Sequence, residues 1–119
     1  MKFKVTVFLK DVAVYEKLTE AMVDFFTKIK EAIADGTSWQ ALETTNFIVM
    51  IDEDGAEYPA EFYDVRDFAC ENGVLKDGQI VKDAPEPPAD AIRFFFLRKQ
   101  LDYIGAQVER ELEREDSRI

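Results

Sequence analysis

The sequence predicts a small α+β fold. An antiparallel or mixed sheet of about three strands is expected in the order β-α-β-β-α, followed by a minor hairpin and a long C-terminal helix, with the helices mainly on one face. Three observations carry this expectation. Residues 2–10 alternate apolar and polar side chains, residues 11–34 repeat apolar side chains at helical spacing, and Phe47-Ile48-Val49-Met50-Ile51 is an unbroken apolar run. The 119 residues suit one domain, 1–119, with a Pro-rich linker at 83–90 before the last helix.

In the first strand Phe3, Val5, Val7 and Leu9 point one way, and Lys2, Lys4, Thr6 and Lys10 the other. Asp11 is placed to cap a helix reaching Ala34, closed by Asp35-Gly36. On that helix Tyr15, Leu18, Met22, Phe25, Phe26, Ile29 and Ile33 share an arc opposite Glu20, Asp24, Lys28 and Glu31. Between Thr37 and Thr45, Ser38 allows a short helical turn through Leu42. The apolar run then reads as a strand covered on both faces.

Asp54-Gly55 supplies turn chemistry, and Tyr58, Ala60 and Phe62 alternate with Glu57, Pro59 and Glu61 in a return strand over 57–63. Pro59 cannot donate to a ladder, which puts this strand at an edge; a helix starting at Pro59 is the competing reading. Asp64 is placed to cap a short helix over Val65–Asn72, ended by Gly73, and Asp77-Gly78 centres a second small hairpin. The final helix should run from about residue 89 to about residue 115. Phe94, Leu97, Leu101, Ile104, Val108 and Leu112 form one stripe along it, and Ile92, Phe96 and Tyr103 lie on a second side.

Charge is unevenly spread. The net charge is −10, and residues 52–90 hold twelve Asp and Glu against Arg66, Lys76 and Lys82, which is nine of the ten excess negative charges. Such a field opposes nucleic-acid phosphates and anionic lipid and favours basic partners. No histidine and a single cysteine, Cys70, leave no imidazole general base, no His- or Cys-built zinc site and no intrachain disulfide. The N-terminal residues lack the apolar core of a signal peptide, and no stretch has the apolar length of a membrane span, so the expected location is cytoplasmic.

Two surfaces carry the functional expectation. A helix apolar on more than one side needs more than one cover, so Ile92, Phe96 and Tyr103 are expected to meet a partner or a second copy of the chain. The alternative is that the first helix and the linker cover them within the protomer. The carboxylates from Asp52 to Glu71, above all Glu57, Glu61, Asp64, Asp67 and Glu71, are expected to face a basic protein or simply to solubilise the surface.

Asp52-Glu53-Asp54-Gly55 fails as a calcium loop, because the twelfth position is Tyr63 or Val65 rather than Glu. Cys70 has no activating base, and Trp39 reads as an interface anchor or a lid over the core. No catalytic, cofactor-binding or metal-binding residue stands out. The expectation is a non-enzymatic interaction or regulatory protein, with the last helix allowing a homo-oligomer, that binds neither nucleic acid nor membrane. The alternatives are an inhibitor imitating nucleic acid, and a small-molecule binder or carboxylate enzyme.

Overall fold

The computed structural model describes residues 1–36 and 42–98. Four strands form an antiparallel sheet in the order β2-β1-β3-β4: β1 Lys2–Val7, β2 Lys10–Tyr15, β3 Phe47–Ile51 and β4 Glu57–Glu61. The other elements among the described residues are helices α1 (Leu18–Ala34), α2 (Leu42–Thr45) and α3 (Phe62–Glu71), the hairpin β5–β6 (Leu75–Lys76, Gln79–Ile80) and a further helix, α4, over 89–98. The α+β class, the inward face of α1 and the edge position of the Pro59 strand all agree with the sequence reading.

The alternation of β1 puts Phe3, Val5 and Val7 into the core. The chain then turns back at once. Phe8 and Leu9 take φ values of 49° and 64°, the paired left-handed conformation of a two-residue hairpin. Residues 10–15 are therefore a strand and not the first turns of α1, and Asp11 caps no helix. Neither Phe nor Leu advertises such a turn, so β2 was illegible. Asn46 holds it from outside: its side-chain oxygen accepts the Phe8 N–H at 3.0 Å, and the Leu9 N–H donates to the Thr45 carbonyl at 2.9 Å.

Helix α1 starts at Leu18 without a side-chain cap of its own. Glu86 supplies one from 68 residues away. Its two carboxylate oxygens accept the backbone N–H groups of Leu18 and Thr19 at 2.7 and 2.8 Å. The Pro-rich segment is thus a strap tied to α1, with Pro87 buried. The buried face of α1 is Leu18, Ala21, Met22, Phe25, Phe26 and Ile29. Burying each large apolar side chain is worth roughly 1.5–3 kcal/mol before entropy is counted.

Ile48 and Met50 of β3 face the helices. Its other side chains face away, where Val49 is shielded by its cross-strand neighbours Lys4 and Pro59, and Phe47 and Ile51 stay half-buried. Among the described residues, the consecutive apolar run thus reflects one face under helices and one face screened by neighbouring strands. The 52–56 turn is closed by Asp52, whose Oδ1 accepts the N–H groups of Asp54 and Ala56, each at 2.9 Å.

Helix α3 begins at Phe62, so Asp64 lies within its first turn and is not its cap. There it still complements the positive end of the helix dipole. Phe62, Val65, Phe68 and Ala69 point inward as expected. Asp77-Gly78 makes the small hairpin turn, with φ values of 51° and 77°.

Candidate functional site

Helices α3 and α4 lie side by side and leave a groove of about 390 Å³ between them. Asp64, Asp67 and Glu71 come from α3, where spacings of three and four residues keep them on one side. The opposite wall is α4, with Ala91, Phe94 and Phe95, and Arg98 closes that side. Phe95 stacks on Phe68 with ring centroids 4.4 Å apart and meets Phe96 edge-on at 5.0 Å. That aromatic stack fixes the rotation of α4 against the core. Phe94 is consequently left 65% exposed, with the Arg98 guanidinium 5.9 Å from its ring centre.

The rotation overturns the expected assignment of apolar faces on this helix. Ile92 and Phe96 are 2% and 0% exposed, and Phe96 lies 6.0 Å from Phe3 across the core. They are enclosed by their own chain and are not partner surface. Tyr103 lies outside the described residues, as does Trp39. The exposed large apolar residues among those described on α4 are Phe94 and Leu97, from the stripe a heptad reading turns inward. The sequence shows two apolar sides on α4 but not which one Phe68 selects.

The acids divide into two groups. Asp64, Asp67 and Glu71 share the groove, and Asp67 also accepts a 3.3 Å contact from Arg66. Glu57 and Glu61 project from β4 on the sheet face that α1 does not cover, and Glu57 pairs with Lys4 at 3.1 Å. Glu53, at the β3–β4 turn, accepts Arg93 of α4 at 2.8 Å and lies 3.5 Å from the N-terminal ammonium. Its own backbone N–H and then that ammonium hold its carboxyl below the ordinary range. Glu53 therefore ties α4 to the sheet.

A separate polar cluster sits between β2 and α1. Asp24 Oδ1 pairs with the Lys28 ammonium one turn on, whereas Asp24 Oδ2 is buried without a hydrogen-bond partner among the described residues. Burial first, and then the Asp24 carboxylate, push the Tyr15 hydroxyl above its ordinary pKa. The bond to Asp24 likewise raises Lys28. Cys70 is exposed on α3 as a free thiol. No group of three or more His, Cys, Asp or Glu side chains placed to hold a metal ion occurs among the described residues. No helix among them is long and apolar enough to cross a membrane.

The groove thus sets an exposed aromatic wall, Phe94, against an acidic wall of Asp64, Asp67 and Glu71. Comparison with protein-family models, with curated proteins and with solved structures finds no match.

Proposed function

We propose that this chain is a non-enzymatic interaction protein, and that the α3–α4 groove docks a basic amphipathic segment of a protein partner. The observation that carries the reading is the convergence of Asp64, Asp67 and Glu71 on one side of a groove whose other side presents Phe94. An aromatic ring standing in water beside carboxylates matches a segment that brings apolar side chains along one edge and Lys or Arg along the other. The excess of acid around the groove steers such a segment toward it and repels phosphate backbones.

The test is paired capture from lysate of the source cells with the natural chain, with Phe94→Ser and with Asp67→Asn/Glu71→Gln. A basic protein should be retained by the natural chain, lost with Phe94→Ser and eluted by moderate salt with the double variant. Equal retention by all three ends the proposal. Displacement of the captured protein by duplex DNA would instead favour imitation of nucleic acid.

A further inference from the structure

A second hollow, of about 370 Å³, lies away from the groove between α1, α3 and the β5–β6 hairpin. Its floor is the buried rings of Phe26 and Phe62 with Ile29, and its walls include the half-buried Ile33 and Leu75. Ligand sites are typically mostly apolar, of roughly 300–1,000 Å³, with a few polar groups that fix orientation. Here those groups are cationic. In a chain with 25 Asp and Glu, no carboxylate among the described residues lines this hollow, while Lys30 and Arg66 both do.

Both cations are held in place. The Lys30 ammonium donates to the Gly78 carbonyl at 3.0 Å, which anchors it at the hairpin and leaves further N–H donors. The Arg66 guanidinium lies 4.9 Å from the centre of the Tyr63 ring, another lining residue, and contacts Asp67 at 3.3 Å. A cation pre-positioned by stacking gives up little rotamer freedom when it meets an anion.

We propose that this hollow binds a free medium-chain monocarboxylate. An acyl tail of about eight to ten carbons lies over Phe26, Ile29 and Phe62, and its carboxylate meets the rim formed by Lys30 and Arg66. An anionic head is specified because, among the described residues, the charged groups lining the hollow are both positive. The tail is specified because the floor offers apolar carbon and no polar side chain.

Methyl-detected NMR titration of the whole chain with decanoate, and separately with decan-1-ol, tests this. Decanoate should shift the Ile29, Ile33 and Leu75 methyls saturably below its micellar threshold, and decan-1-ol should bind about tenfold more weakly or less. Lys30→Gln/Arg66→Gln, both at exposed positions, should erase that preference for the acid, and Ile33→Trp should block both probes. Absence of saturable shifts, equal affinity for the two probes, or an unchanged preference in the double variant would overturn the assignment. If Ile33→Trp does not fold, the double variant still decides the question. Neither substitution replaces a residue lining the α3–α4 groove. Although Arg66 contacts Asp67 there, Ile33 lies outside that groove and the methyl shifts report on the hollow itself, so this result is distinguishable from partner docking.

Discussion

Asn46 shows how much one side chain can hold. It is fully buried, its oxygen accepts the Phe8 N–H, and its nitrogen donates to the Leu42 carbonyl and the Thr45 hydroxyl, each at 3.2 Å. Asn46→Ala leaves the Phe8 N–H without its partner and should cost about 2–3 kcal/mol in a denaturant titration. A loss under about 0.5 kcal/mol would mean that the hairpin does not lean on it. Tyr15 and Lys28 set a pH dependence. Both have folded pKa values above their ordinary 10.0 and 10.5. A raised folded pKa stabilises the protein fully below the unfolded value and stops doing so as pH climbs through the folded one. Stability should therefore be level with respect to these two groups up to about pH 9.5 and fall above pH 10. Asp24→Asn removes a shared cause of both shifts and should flatten that fall, as denaturant midpoints across pH 9–11 would reveal.

At the scale of elements, α1 and α4 each depend on a distant contact. Glu86 reaches across the fold to the first N–H groups of α1, so Glu86→Ala should lower stability by about 1–2 kcal/mol and raise hydrogen exchange at Leu18 and Thr19 first. An unchanged exchange pattern would show that water serves equally well. On α4, Phe96 and Phe94 sit two residues apart with opposite expectations. Phe96→Ala empties a fully buried site and should cost about 3–5 kcal/mol. Phe94→Ser should change stability by no more than about 0.5 kcal/mol, because the ring already faces water. Thermal melts of the two variants that came out alike would contradict the observed rotation of α4.

For the whole molecule, the surplus of negative charge is the dominant long-range term. Self-repulsion among carboxylates clustered in 52–90 opposes compactness, and salt screens it. The melting temperature should rise between low and moderate salt. A fall would mean that the exposed pairs Lys4–Glu57 and Arg93–Glu53 outweigh the repulsion. Much of this architecture was legible along the chain because it rests on short-range periodicity: the alternation of β1, the helical arc of α1, and the turn chemistry of Asp54-Gly55 and Asp77-Gly78. The β1–β2 hairpin escaped because its turn is Phe-Leu, stabilised by Asn46 from 38 residues away. The start of α1 was misplaced for the same kind of reason, since Glu86 stands where a local cap was expected. In the candidate site, the acids of α3 were readable as a charged stretch. Their meeting with Phe94 was not, because the rotation of α4 is chosen by the Phe68–Phe95 stack and the fit of Phe96 against Phe3. Sequence by itself determined the class of fold, the inward faces of α1 and α3 and the acidic field, all of which follow from the order of residues within one element. Only tertiary packing decided which side of α4 is buried and which acids share a groove, because those outcomes depend on contacts between residues far apart in the chain.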